Sequence, residues 1–423
     1  MSLKKFALEC QKEVLTAVPP ELFLMKRENI PDYSRIQERD FVGKISSGWI
    51  RPAAIDTTYF ALHLKEQIGA PVSVYEEERI NGFVKSLCTK DGGFLQTNFH
   101  ERPSIHAIHS AIGIFNILSS HRENGGQVKW DKPMGTVLLQ QYLEKDKIDL
   151  VKNFLKECKK GNGGFAEDPY GKNPTINATA SALWCFWHLE ALDEVDCDRT
   201  LEFVKQHIVD VKETLGFKND LVTDLNAWIC ATYYAFRIFK TIENCRKGSR
   251  EQIVPQIQKV INLLMECEAK GEKGKAFAAT KGFKPTIIHT KDALSLMDDS
   301  KYSLGFDKFI KEKGPTNYKK DLIKEIGSFL ECCKFNGVYG FAETKYYFPN
   351  IYATQLALDI KASLKKMLNQ ESGESKDLVD EKQKRNIIDF INSCYDKESG
   401  GYRGYSHSTA YIPSDWQSLE SAA

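Results

Sequence analysis

Two acidic segments hold the carboxyl groups best suited to acid chemistry. Asp56 stands in Ala54-Ile55-Asp56-Thr57-Thr58, at the predicted start of a helix. A carboxyl that burial keeps protonated is a usable general acid. Asp224 follows Thr223 on a second predicted helix and is the reserve candidate. The competing interpretation is that Asp56 and Thr57 only cap their helix.

Basic residues recur beside the prolines that begin helices. Helix N-termini carry partial positive charge, so cations gathered with several of them at one rim would form an anion site. The alternative is that these are ordinary loop residues. The cations are Arg51, Arg102, Lys172 and Lys284.

Aromatic residues are frequent on the same predicted helices. Their faces can hold an apolar chain and stabilise a cation through the ring quadrupole. An aromatic residue at helical spacing is more often plain core, so we expect two or three of the seven to face a cavity. The seven are Tyr59, Trp184, Trp187, Trp228, Tyr233, Tyr234 and Tyr352.

The helices that carry these residues belong to a repeated unit, most clearly Gly161 to Leu192. Each unit has a helix, a glycine turn of the Gly-Gly-Phe type, and a proline-led second helix. Prolines recur roughly every 50 to 70 residues, which is typical of a stacked or closed helical repeat. The first copy, from Arg51, is a half-copy. The last copy lacks a full apolar second helix, so that helix is short, lies farther along a longer chain, or comes from elsewhere in this one.

These hairpins resemble the α/α toroid of protein prenyltransferase β subunits and of squalene-type (class II) terpenoid cyclases. The resemblance runs from about Asp40 to the end, and Cys10 to Phe23 is similar to the opening helix and proline turn of the β subunits. It implies an all-α fold, a closed α/α toroid of about six hairpins, with an open solenoid as the alternative. We predict a lead-in over residues 1–40 and one toroid domain over residues 41–423.

The resemblance to prenyltransferases implies a zinc site made of an Asp-x-Cys pair and a later histidine. In the best alignment, Asp224-Leu225-Asn226 occupies the first position and His289 the second. Asn226 replaces the thiolate ligand, so we do not expect zinc. Any metal we expect is Mg²⁺ accompanying a diphosphate. His106 and His109 lie one helical turn apart, but no third ligand is evident, and a structural pair is the preferred interpretation.

The resemblance to class II cyclases implies protonation of an alkene or epoxide by an aspartic acid. Asp56-Thr57-Thr58 is similar to a reduced form of the cyclase Asp-x-Asp-Asp-Thr motif, with Ala54 in place of the first acid. Three functions follow. The first is a terpene cyclase-like enzyme acting on an isoprenoid diphosphate held by the rim cations. The second is a prenyltransferase β-like subunit that needs a helical α partner. The third is a non-catalytic toroid that binds a lipid or a protein.

The composition of the chain excludes several classes of protein. The chain has 423 residues, a net charge of +1 and 42% hydrophobic residues, so no basic excess indicates nucleic acid. No apolar run reaches the ~20 residues of a transmembrane helix, and the N-terminus lacks the apolar stretch of a signal peptide. The eleven cysteines contain no Cys-x-x-Cys pair. We therefore expect a cytoplasmic protein with no transmembrane segment.

Overall fold

The computed structural model describes residues 53–404 apart from 99, 125–127, 129, 131, 223, 225, 246–256, 299–317, 335–339, 344–348 and 373–378. The predicted lead-in over residues 1–40 and Arg51 lie outside these residues. In chain order the helices and strands are α1 Ile55–Gln67, α2 Val74–Ser86, α3 Ile105–Asn124, α4 Thr136–Leu139, α5 Lys145–Glu157, α6 Ile176–His188, a 3-10 turn Leu192–Glu194, α7 Cys197–Gln206, β1 Ile208–Val211, β2 Thr214–Phe217, α8 Ile229–Cys245, α9 Ile257–Cys267, β3 Glu268–Lys270, β4 Lys275–Phe277, α10 Ile287–Asp298, α11 Tyr318–Cys333, α12 Ile351–Ser372 and α13 Glu381–Cys394.

Six helices of the described chain form a closed inner ring. Each packs against the next in the order α1, α3, α6, α8, α10 and α12, and α12 packs against α1 again. The helices between them, apart from the four-residue α4, form the outer layer; these are α2, α5, α7, α9, α11 and α13. The apolar core lies between the two layers and includes Phe154, Phe203 and Phe390. The fold is an α/α toroid, as the repeats predicted.

A ring of backbone hydrogen bonds fixes the position of each inner helix along the axis of the toroid. The first residue of each inner helix is a fully buried isoleucine. The N–H of this isoleucine donates a hydrogen bond to a backbone carbonyl in the next hairpin. The acceptor residue is the second one after the aromatic residue of that hairpin's turn. The six bonds are Ile55 to Gln96, Ile105 to Glu167, Ile176 to Asn219, Ile229 to Ala279, Ile287 to Glu343 and Ile351 to Gly404, at 2.9–3.2 Å.

Threonine hydroxyls join most of the turns to the inner helices. In the hairpin before α6, the Phe165 N–H donates to Thr179 Oγ1 at 3.0 Å, and that hydroxyl donates to the Thr175 carbonyl at 2.7 Å. The same arrangement uses Thr232, Thr290, Thr354 and Thr58 in four other described hairpins. Ile108 occupies this position in α3. These threonines satisfy buried N–H groups that would otherwise destabilise the turns.

The two half-copies of the repeat complete one another. The aromatic residue of the last turn, Tyr402, pairs with Ala54 and donates its N–H to Thr58 Oγ1 at 2.9 Å. Buried Lys65 forms an ion pair with Glu76 at 2.6 Å, and Glu76 also accepts the Tyr402 hydroxyl. The outer helix α13 is thus paired with the first inner helix, α1, which supplies the apolar helix missing from the last copy.

Local departures from the predicted elements occur at two turns and one long helix. Short antiparallel hairpins, β1–β2 and β3–β4, replace the double-glycine turn before α8 and α10. In β2, a side chain at Gly216 would lie 2.4 Å from Leu263. Helix α12 extends to Ser372 and so continues past the apolar part of its repeat into a polar stretch of the sequence. In the described part of the chain, no helix is long and apolar enough to cross a membrane.

Candidate functional site

We call the interior of the inner ring the lumen and infer from helix position which residues face it. The ring of hydrogen bonds places the six isoleucines at one level along the axis of the toroid. Residues that follow their isoleucine by the same number of positions therefore lie at the same depth. With a rise of about 1.5 Å per residue, offsets of four and eight lie about 6 and 12 Å below the helix starts. We call the end where the helices start the rim. The middle tier is Tyr59, His109, Ala180, Tyr233, Lys291 and Gln355, and the lower tier is His63, Gly113, Trp184, Arg237, Ser295 and Asp359.

Helices α1, α3 and α6 contribute an aromatic wall. The rings of Tyr59 and His109 lie 5.9 Å apart, those of His109 and Trp184 4.2 Å, and those of Trp184 and His188 3.9 Å. Tyr59 lies against Gly113, where a Cβ atom would come within 2.4 Å of the phenol ring. Burial lowers the pKa of His109 well below its ordinary value, with Arg237 adding to the effect. A neutral, ring-lined surface of this kind suits an apolar chain.

Helices α8, α10 and α12 contribute an ionic wall. Lys291 Nζ lies 3.1 Å from the Tyr233 hydroxyl, 3.5 Å from Asp292 Oδ1 and 4.2 Å from the Tyr233 ring centre. Arg237 lies 5.9 Å from the same ring centre. The Lys291 side chain keeps 18% of its surface accessible although helices surround it, so it faces the lumen.

The side chains of the ionic wall influence one another's charge. Burial alone would lower the pKa of Lys291, but Tyr233 and the carboxylates of Asp292 and Asp359 raise it, so the amine stays protonated. Burial raises the pKa of Asp292, and Lys291 opposes that shift. A cation in a lumen of low polarity attracts an anion more strongly than it would in water.

A polar network lies beside the ionic wall. Asp359 accepts hydrogen bonds from Gln355, at 2.6 Å, and from Gln67. Gln355 also lies 3.3 Å from His63 Nδ1. Burial lowers the pKa of His63, which favours the neutral imidazole.

The two predicted acids lie in different settings. Asp56 is the second residue of α1, near the rim, where Oδ1 accepts the Thr57 N–H at 2.6 Å. Burial raises its pKa, while the Thr57 N–H, His106 and Gln96 partly oppose the shift. Thr57 and Thr58 bind backbone carbonyls and so stabilise the helix start.

Asp224 was predicted on an inner helix, and that placement was wrong. It lies in the loop before α8, where Oδ2 accepts the N–H groups of Asn219, at 2.8 Å, and Asp220, at 3.0 Å. The loop is longer than the sequence pattern indicated because α8 starts only at Ile229. Asn226, in the same loop, is exposed.

His289, which the alignment places at the second zinc position, also has a hydrogen-bonding partner close in sequence. His289 is buried, its Nδ1 lies 2.7 Å from the Thr286 hydroxyl, and burial lowers its pKa to about 4. No group of three or more His, Cys, Asp or Glu side chains suited to a metal occurs among the described residues. His106 lies at the rim with Glu167, 3.3 Å away, whereas His109 is inside the lumen.

Three of the four predicted cations lie at the rim, as exposed residues of the loops before α3, α6 and α10. They are Arg102, Lys172 and Lys284. Arg102 lies 5.9 Å from the centre of the Tyr170 ring. Their part in anion binding remains a prediction.

Two of the predicted lumen aromatics were misplaced. Trp228 precedes α8 and pairs with Phe217 of the adjacent turn. Trp187 lines a separate outer cavity of about 390 Å³ with Pro133 and Leu192. Both errors arise because the helix face toward the lumen depends on where each helix starts. Tyr352 does lie on the inner ring, with its ring 4.5 Å from that of Phe60.

The sequence reasoning missed Lys291, Arg237, Asp292 and Asp359. The signal that could have found them is the isoleucine that begins every inner helix. Counting four and eight residues from each isoleucine gives Lys291, Arg237 and Asp359; Asp292 lies five residues after Ile287, next to Lys291, and belongs to neither tier.

The chain belongs to the prenyltransferase alpha-alpha toroid domain family. The family model matches residues 6–144, 133–283 and 366–422. Among curated protein sequences, the comparison finds no match.

The solved structures with similar folds include enzymes of two kinds. Candida albicans protein geranylgeranyltransferase-I complexed with GGPP has a TM-score of 0.48 and 15% identity, covering 79% of this chain and 90% of that one. A single-residue variant of the type II terpene cyclase MstE from Scytonema, in its apo form, has a TM-score of 0.42 and 9% identity, covering 80% and 81%. A second variant of that cyclase, in complex with its substrate geranylgeranyl dihydroxybenzoate, has a TM-score of 0.39 and 10% identity, covering 80% and 82%.

Proposed function

We propose that this toroid is an isoprenoid-processing enzyme of the terpene cyclase kind, which binds an isoprenoid diphosphate in its lumen. The main support for the proposal is that the ionic wall and the aromatic wall face the same lumen. Lys291 and Arg237 offer a diphosphate two cations, and the rings of Tyr59, His109 and Trp184 face an apolar chain. An amphiphile with an anionic head matches both walls at once.

In the proposed reaction, Asp56 is the general acid. Its proton is transferred to one carbon of an alkene, the other carbon becomes a cation, and the π electrons of a second alkene close a carbon–carbon bond. The aromatic wall stabilises the cation. Loss of a proton from the final cation to solvent gives an isomer of the substrate that keeps its diphosphate, and Asp56 takes up a proton from solvent before the next turnover. The raised pKa of Asp56 supports the role, because a protonated carboxyl is needed at the start.

Binding is tested by titration calorimetry with farnesyl and geranylgeranyl diphosphate at fixed salt. Lys291→Met removes the lumen cation, and Lys172→Met removes an exposed rim cation as the matched control. We expect at least a tenfold weaker affinity for Lys291→Met, equal to about 1.4 kcal/mol, and little change for Lys172→Met. The reverse order would place the head group at the rim and contradict the lumen site.

Chemistry is tested by mass spectrometry of the products. We expect an isomeric diphosphate from the wild-type protein and none from Asp56→Asn, with binding retained. Loss of product only in Asp292→Asn would assign the acid to the ionic wall instead. Transfer of the isoprenoid to a peptide thiol, with release of diphosphate, would support the prenyltransferase-like function. Binding without turnover would support a non-catalytic lipid-binding toroid.

A further inference from the structure

The outer cavity lies where the chain passes from α6 to α7. Because α6 begins at the rim and ends beside this cavity, the cavity lies at the opposite end of the toroid. Its volume of about 390 Å³ is within the range of small-molecule sites. None of its lining residues belongs to the middle or lower tier, so it is a different site from the lumen. The lining consists of Pro133, Trp187, Glu190, Leu192, Asp193, Val195 and Cys197.

Most of the lining is apolar, and its largest member is an indole. Trp187 is half-buried, and its ring centre lies 4.7 Å from that of buried His188, with 72° between the ring planes. The imidazole therefore packs against the indole on the side of the protein. Leu192 and Val195 are buried, and Pro133 is exposed. A cavity with these walls favours a ligand that has an apolar part.

Two carboxylates line the same cavity. Glu190 and Asp193 are exposed, and in the described part of the chain neither forms an ion pair. Glu190 Oε2 accepts the Thr136 N–H at 3.3 Å. The next acid, Glu194, does not line the cavity, and its Oε2 lies 2.5 Å from Lys156 Nζ. The charge on the cavity wall is therefore negative.

The end of α6 adds to this negative potential. A helix C-terminus carries partial negative charge, which favours a nearby cation and disfavours a nearby carboxylate. Glu190 nevertheless follows the end of α6, with its N–H donating to the Trp187 carbonyl at 3.1 Å. Its φ of +50° is one that glycine usually occupies at this point. A bound cation would offset the cost of placing a carboxylate there.

We infer that the outer cavity binds a small organic ammonium ion with an apolar substituent. The carboxylates of Glu190 and Asp193 attract the ammonium group, and the quadrupole of the Trp187 ring adds to the attraction. The apolar substituent covers Leu192 and Val195. The same groups repel an anion. The inference does not depend on the proposed function, since the outer cavity and the two tiers share no residue.

The experiment uses three soluble ligands that share a phenyl group and differ in charge: 2-phenylethylammonium, 2-phenylethanol and 3-phenylpropanoate. The six tryptophans are labelled with ¹⁵N, and the Trp187 indole signal is assigned by its loss in Trp187→Phe. Dissociation constants follow from the shift of that signal at fixed low salt. We expect the ammonium ion to bind about tenfold more tightly than the alcohol, and the carboxylate more weakly than both.

Matched variants assign the charge effect to the cavity. Glu190→Gln and Asp193→Asn keep the size of each side chain and should each weaken binding of the ammonium ion about threefold, with little change for the alcohol. Glu194→Gln is the control, because it removes a neighbouring carboxylate that does not line the cavity. It should bind the ammonium ion as the wild-type protein does. Circular dichroism checks that all the variants are folded.

Four results would overturn the inference. The first is equal affinity for the ammonium ion and the alcohol, which would show that the cavity does not recognise charge. The second is a shift of the Trp184 signal, assigned with Trp184→Phe, without a shift of Trp187, which would place the ligand in the lumen. The third is an equal loss in Glu194→Gln and Glu190→Gln, which would assign the effect to the charge of the whole surface. The fourth is an unmoved Trp187 signal with all three ligands at millimolar concentration.

Discussion

The folded protein should lose stability as the pH falls, because a hydrogen bond to the segment before α4 depends on a neutral histidine. His188 is 1% exposed and its Nδ1 accepts the Met134 N–H. Burial, with a contribution from Arg237, lowers the pKa of His188 from 6.5 to about 3. A protonated imidazole would carry a hydrogen on Nδ1 and could no longer accept that bond.

The sign and size of the effect follow from linkage. Above pH 6.5 His188 is neutral in both folded and unfolded chains, so its contribution to stability is complete. Below pH 6.5 the unfolded chain binds a proton that the folded chain does not, and stability falls by about 1.4 kcal/mol per pH unit. Between pH 7 and pH 5 the loss from this one group is about 2 kcal/mol.

The assay is urea denaturation at several pH values, followed by circular dichroism and fluorescence to check that the transitions coincide. His188→Gln is the reference, because glutamine does not titrate and its amide oxygen can accept the Met134 N–H. Other titrating groups are common to both proteins and cancel in the difference. We expect the wild-type protein to lose about 2 kcal/mol more than His188→Gln between pH 7 and pH 5. Equal pH dependence in the two proteins would refute the reasoning.

Two further predictions concern the turns, and both are measured as the free energy of unfolding in urea. Thr58→Val leaves the buried Tyr402 N–H without its acceptor and should lower stability by about 1–3 kcal/mol; no change would show that another group accepts this bond. Gly163→Ala should cost about 1–3 kcal/mol, because Gly163 has φ +93° and a Cβ there would lie 2.4 Å from the Arg199 carbonyl oxygen. Gly161→Ala is the control, since nothing lies within 4 Å of its Cβ position, and equal losses in the two alanine variants would contradict the close approach.

The architecture was predictable from the sequence because the repeat is marked by residues with a backbone role. Glycine turns end the outer helices and prolines precede the inner ones, so the hairpins and their approximate number could be identified. Closure was harder to predict, since it depends on the contact of α1 with a turn 344 residues away in the chain.

The lining of the lumen was predicted less well, for a geometric reason. A helix turns by about 100° per residue, so an error of one or two residues in its start moves a side chain to another face. Trp187 and Trp228 were misplaced in this way. Lys291 and Arg237 were missed because a lysine or arginine in a sequence is normally assigned to the surface. Its burial becomes evident only when its neighbours in the structure are known.

The pairing of α13 with α1 has a consequence for synthesis on the ribosome. Five hairpins consist of residues close in sequence and can form as the chain emerges, but the sixth needs the first and the last described helices together. Its inner helix is made first and has no outer partner until Tyr402 has been synthesised. A circular permutant that moves α1 to follow α13 would make all six hairpins local, and by lowering the contact order it should refold faster than the natural chain order.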